Sequence, residues 1–357
     1  MKLLRQRVTL RAALAASATL AAVIGMVTAG SGTAFARTAA APTVPLPGHV
    51  FAPYFESYNG DNAATLAQES GARYLTFAFL QTATAGSCTA YWNGDTTEPV
   101  APATFGSQIA ELQARGGNAI PSFGGYTADT TDTDIADSCT SVAAIAKVYE
   151  NVITTYNVPR IDLDIEGNSL TNTAGINRRN EAVAQVERWA AARRRPIQFS
   201  YTMPSTTTGL DADELAVLTN AIADGARVSL VNFMTFDYYL GPQQEMATDT
   251  EAAIADGYSQ LHALYPADTP AQLWHKIGVT EMPGIDDFGP EETFTQADAV
   301  TILHWARAKG INTLSFWALQ RDNGGCAGTK GAGTCSGVTQ PDWYFSHVFE
   351  PFTSWLW

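Results

Sequence analysis

Positive charge and metal-binding side chains are what this 357-residue sequence has least of. Lys and Arg total 21 against 35 Asp and Glu, a net charge of −14 with histidine neutral. A surface that acidic repels phosphate backbones, which argues against a nucleic-acid partner. Histidine occurs five times (49, 262, 275, 304, 347), without HExxH or paired spacing, so no metal or other cofactor is expected. Only four cysteines occur, Cys88, Cys139, Cys326 and Cys335, none in CxxC spacing, which disfavours a thiolate zinc site. No G-x-G-x-x-G follows a candidate strand and no G-x-S-x-G is present, so a dinucleotide fold and a hydrolase nucleophile elbow both lack their signatures.

What is present begins with a leader. Lys2, Arg5, Arg7 and Arg11 precede a weakly apolar stretch, Ala12 to Gly30, and then Ala34-Phe35-Ala36. Basic start, apolar middle and small-residue cleavage site are the layout of a secretory signal over residues 1–36. A membrane anchor is the competing reading, weakened by Ser17, Thr19 and Thr28 inside the span. Cleavage leaves 17 basic against 35 acidic residues, a net −18. The expected product is secreted, extracellular, free of membrane and monomeric. Export permits disulfides: Cys326 and Cys335 flank a short Gly-rich loop and so pair with each other, leaving Cys88 to Cys139; free buried thiols are the alternative.

Residues 37–48 form an Ala/Pro-rich lead-in, and one domain follows over 49–357. Short β-rich runs start near His49, Tyr74, Asn118, Arg160, Ile197, Val228, Lys276 and Asn312. Each precedes helix-period sequence; in 142–156, Val142, Ile145, Tyr149, Val152, Ile153 and Tyr156 share one face. Asp211-x-x-Glu214 and Thr295-x-x-Asp298 have capping-box spacing. Eight strand–helix units predict an α/β fold, a single (β/α)8 TIM barrel; an open doubly wound sheet is the alternative. Between strands seven and eight, Met282 to Ile311 has space for one helix and a loop, too little for an inserted α+β domain.

Strand four reads Arg160-Ile-Asp162-Leu-Asp164-Ile-Glu166. Side chains alternate along a strand, so Ile161, Leu163 and Ile165 face the helices and the three acids point inward, Glu166 nearest the rim. Crowded carboxyls cannot all ionise cheaply, and a retained proton is what a general acid needs. A solvated acidic face on an antiparallel strand and a divalent-cation site are the other readings. Carboxyls two residues apart lie ~6.6 Å apart along one strand. They cannot flank a bond from opposite sides as in ordinary glycosidases.

The segment resembles the D-x-x-D-x-D-x-E signature of family 18 glycoside hydrolases, the chitinase family, with Pro159 at its first position. Ser122-Phe123-Gly124-Gly125, Met234-Thr235-Phe236-Asp237 and Trp317 resemble that family's S-x-G-G, M-x-Y-D and strand-eight tryptophan, in family order. The resemblance implies a barrel hydrolase acting on chitin or N-acetylglucosamine-containing oligosaccharides, with the substrate's acetamido group as nucleophile. It implies Glu166 as acid/base, Asp164 as the acetamido partner, and Asp162 sharing a proton with Asp164. It further implies Met234 and Asp237 in the acetamido pocket and Trp317 as its floor. Phe236 lacks the family tyrosine's hydroxyl, for which Tyr238 is the candidate substitute. Gly124, Tyr54 and Tyr126 are candidate binding residues, and Tyr201 and Met203 are expected toward the groove or upper core. Three alternatives remain: a non-catalytic carbohydrate-binding barrel, an endo-β-N-acetylglucosaminidase acting on N-glycans, and a metal-dependent phosphodiesterase.

Overall fold

The computed structural model describes residues 43–353. The secretory-signal reading and half of the lead-in lie outside the described residues. Eight parallel strands carry the fold. The first is broken into Val50–Phe51 and Tyr54–Glu56; the others are Tyr74–Thr82, Asn118–Gly124, Arg160–Asp164, Gln198–Pro204, Leu230–Met234, Ile277–Glu281 and Thr313–Phe316. Neighbours pair in sequence order, and the first strand supplies the closure. Val50 and Phe51 pair with Thr313 and Leu314 of strand eight, whereas Tyr54 to Glu56 pair with Thr76 to Ala78 of strand two. The sheet therefore meets itself and presents a (β/α)8 barrel.

Helix positions follow the hydrophobic period. Ala63–Ser70, Val142–Tyr156 and Gln296–Lys309 are helices, the second with the bounds the sequence predicts. On Val142–Tyr156 the residues Ile145, Tyr149, Val152 and Ile153 are wholly buried against the sheet. Thr295 and Asp298 close a reciprocal capping box. The box expected at Asp211 does not form: Asp211 is the N-cap, but its side chain makes no cap bond. Elements too short to show a period also appear: an antiparallel strand Ala90–Trp92, helices Tyr126–Thr130, Ile135–Ser138 and Tyr344–Phe349, and a hairpin of Gly284–Ile285 with Thr293–Phe294. That hairpin and Gln296–Lys309 occupy most of the stretch between strands seven and eight.

Both disulfides form as paired above, Cys88–Cys139 with Cα atoms 4.6 Å apart and Cys326–Cys335 with 5.9 Å. The first ties the loop after strand two to the end of helix Ile135–Ser138; the second closes a loop after strand eight.

Candidate active site

Alternation sends Ile161, Leu163 and Ile165 into the apolar layer, each at most 1% exposed. Arg160, Asp162 and Asp164 take the opposite parity and are buried as well. Regular strand ends at Asp164 rather than Glu166. Glu166 keeps extended backbone (φ −132°, ψ 176°), so the inward parity carries on to it. On strand five Ser200 and Thr202 point inward to Asp162, while the Tyr201 hydroxyl donates to Asn180 Oδ1 on a surrounding helix at 2.8 Å. Tyr201 and its same-parity neighbour Met203 are fully buried and form no part of the groove.

Asp162 sits at mid-barrel under a canopy of hydroxyls. Ser122 Oγ (2.7 Å) and Tyr54 Oη (3.0 Å) reach its Oδ2, and Ser200 Oγ (2.6 Å) and Thr202 Oγ1 (2.8 Å) reach its Oδ1. The register explains the supply: Ser122, Asp162 and Ser200 lie side by side on strands three, four and five. Burial raises the Asp162 pKa and these four donors pull it back. Asp164, one step up, has no such canopy, and its buried Oδ1 has no partner. Burial, with Glu166, Asp162 and Asp129 nearby, holds its pKa well above the ordinary range. No hydrogen bond joins Asp162 to Asp164, so direct proton sharing between them is not seen in this state.

Glu166 is pushed up to about 7, mainly by burial, with the charge of Asp287 adding and the backbone N–H of Tyr126 opposing. Its own backbone N–H donates to Asp129 Oδ2 at 2.5 Å. Asp129 is fully buried in helix Tyr126–Thr130, ahead of the ion pair of Arg179 with Asp134 (3.0 Å). The glycine pair lets that helix approach. Gly124 has φ +96°, and a Cβ there would lie 2.0 Å from the Asp164 carbonyl oxygen and 3.3 Å from Asp129 Oδ1. Any side chain at Gly124 would displace the acids.

Above the acids opens a cleft of about 870 Å³, ample for sugar rings. Asp164 and Glu166 form part of its wall, and so do Tyr54, Gly124, Tyr126, Met234, Asp237 and Trp317. Asp162 lies beneath, out of the wall. Trp317 stacks on Phe79 (ring centroids 5.5 Å, interplanar 13°) and packs on Tyr54 at 5.7 Å. Tyr126 and Tyr239 stand exposed at the rim. Tyr238 is a correction. It is absent from the wall, and its hydroxyl lies among Glu281, Asp249, Thr250 and Ser205. It cannot stand in for the hydroxyl that Phe236 lacks. Asp237, by contrast, is pushed up to about 8 by burial and by Asp286 and Asp287. It accepts from the Asp287 backbone N–H at 2.9 Å. Asp287, Tyr58, Phe79, Gln81 and Asn93 also line the cleft; none was singled out from sequence. No Lys, Arg or His lines it.

The family sequence model "Glycosyl hydrolases family 18" matches residues 50–282. The chain belongs to that family. A curated relative, the "Probable bifunctional chitinase/lysozyme" of Escherichia coli K12, is 31% identical over 320 residues, which is 86% of this chain and 35% of that protein. "Endochitinase 11" of Metarhizium anisopliae is 30% identical over 288 residues, 77% of this chain and 53% of that protein. This family 18 chain thus spans about a third to a half of the curated relatives it matches. Among solved structures, active domain 2 of a Pyrococcus furiosus chitinase superposes with a TM-score of 0.75 at 30% identity, over 87% of this chain and 96% of that one. Catalytic-site mutants of the same domain complexed with chito-oligosaccharides superpose at 0.76 and 29% identity, with the same coverage.

Proposed function

We propose that this family 18 chain is a secreted, retaining glycoside hydrolase that cleaves β-1,4 linkages between N-acetylglucosamine units of chitin or chitooligosaccharides. The observation that carries the proposal is the pair Asp164, buried, and Glu166, half-buried, carboxyls of one parity that both open into an aromatic cleft with no cation in its wall. The relatives named as chitinases support the substrate class.

In this mechanism Glu166, neutral below pH about 7, gives its proton to the glycosidic oxygen. The acetamido carbonyl oxygen of the sugar attacks C1 as the C1–O bond breaks, forming an oxazolinium ion. Asp164 turns to Asp162 beneath it and passes its proton to that carboxylate; as a carboxylate it then accepts from the acetamido N–H and stabilises the cation. Water then attacks C1 as the oxazolinium C1–O bond opens and restores the acetamido group, while Glu166, now the base, takes the water's proton, and the anomer is retained. Asp162, itself fixed by its four hydroxyl donors, receives the Asp164 proton. Trp317 is the pocket floor, with Tyr54, Tyr126, Met234 and Gly124 shaping its walls. With Phe236 unable to donate, a protonated Asp237 supplies the hydrogen bond to the acetamido oxygen.

The test is product analysis by NMR on oligomers acetylated or deacetylated at the cleaved sugar. Initial β-anomers and a strict need for the acetyl group are expected. α-Anomers, or equal cleavage of both oligomers, would overturn the mechanism. Equal turnover of a chitooligosaccharide and an N-glycan core would reassign the natural substrate.

A further inference from the structure

A second, smaller hollow of about 430 Å³ lies on the same end of the barrel as the cleft, lined by Asn59, Asp61, Leu66, Gln320, Thr334 and Trp343. Two short segments build both cavities. Tyr58 lines the cleft and Asn59 the hollow; Trp317 lines the cleft and Gln320 the hollow. One buried carboxyl fixes the divide: Glu56, 2% exposed, accepts from Tyr58 Oη at 2.7 Å and from Asn59 Nδ2 at 3.0 Å. Gln320 is held from both ends, its Oε1 accepting from the Glu56 backbone N–H at 3.1 Å and its Nε2 donating to the Glu56 carbonyl at 3.0 Å. The hollow is therefore a built surface adjoining the cleft.

Its chemistry is that of a sugar site. Half-buried Trp343 and Leu66 offer apolar contact to ring C–H faces. Asn59, Asp61, Gln320 and Thr334 bring amide, carboxylate and hydroxyl groups suited to sugar hydroxyls, and no Lys, Arg or His is present to select an anionic ligand. We propose that this hollow is a distal saccharide site that holds another unit of the polymer chain engaged in the cleft. The inference rests on the function proposed above. A chain reaching both cavities binds the second one intramolecularly, so even a weak contact raises the occupancy of long substrates while short ones gain nothing.

The experiment compares kcat/KM on a fluorogenic chitobioside and on polymeric chitin for wild type, Trp343→Ala and Asp61→Ala, with chitin retention measured in a Glu166→Gln background. Trp343→Ala is expected to lower kcat/KM on polymer ~5- to 10-fold and to leave the chitobioside within two-fold. Asp61→Ala, an exposed position, should show the same split more weakly. Equal losses on both substrates, or no loss on polymer, would overturn the proposal. If wild type turned over neither substrate, the hydrolase reading would fail. Retention would then decide the hollow: weaker retention on adding Trp343→Ala upholds it, and unchanged retention removes it.

Discussion

Strand four carries a polar side chain inward at every second position, and its two ends treat those side chains in opposite ways. At the lower end the Arg160 guanidinium is fully buried yet bonded to Gln198, Asn312 and Thr313 at 2.8–3.0 Å. Asp162, at mid-height, has four hydroxyl donors. Asp164 has an orphaned oxygen, and Glu166 faces open space. A buried polar group without a partner costs free energy. That cost is tolerated where a ligand would supply the missing partner. The polar network below serves stability, and the unmatched acids above serve the reaction.

The widest break in this comparison comes from Glu166→Gln. It should cut chitooligosaccharide turnover by ~10²–10⁴-fold while leaving the melting temperature within a few degrees, measured by initial rates and thermal unfolding. Arg160→Ala should do the reverse. It strands the Gln198 acceptor and takes one donor each from Asn312 and Thr313, a loss of roughly 2–4 kcal/mol, and activity per folded molecule should stay near wild type.

Next comes pH. Glu166 must be protonated to act as acid, so kcat/KM should fall as pH rises through about 7. Asp287→Asn removes a negative charge beside it, lowers its pKa, and should move that limb to lower pH by under ~1 unit, since Asp287 is exposed. The smallest effect is on stability. Carboxyls whose pKa is raised by folding bind more protons in the native state than unfolded. Stability should therefore decline as pH rises from the unfolded carboxyl range near ~4 through the folded values, about 7 for Glu166 and about 8 for Asp237. Unfolding scans at pH 5 and pH 8 should give the higher midpoint at pH 5, and Glu281→Gln should narrow the gap. Glu281 is fully buried with an unpartnered Oε2 and a pKa held well above its ordinary value.

The eight strands were legible because burial on both sides of a parallel sheet writes apolar runs into the sequence, and the acids stood out because they interrupt one such run at period two. Where a helix spans five residues or fewer, as in Tyr126–Thr130, or a strand only two, as in the Gly284–Ile285 hairpin, no period can be read. Asp129 and Asp287 escaped for that reason: each lies in such a segment, and only the folded chain brings it to Glu166. Tyr238 was misjudged because one step from Asp237, itself in left-handed backbone (φ 52°), turns its ring away from the cleft. On strand five the sequence left Tyr201 and Met203 to the groove or the core; they go to the core because Ser200 and Thr202 are the partners that Asp162 requires.

The divided first strand has a consequence for how the molecule is assembled. Val50 finds its partner at Thr313, 263 residues later in the chain, whereas Tyr54 needs only Thr76. During synthesis the second half can zip early, but the first half waits until strand eight has emerged. Until then two sheet edges stand unpaired and open to pairing with other chains. The last step of folding is thus a long-range splice, and fragments ending before strand eight should associate where the intact chain closes on itself.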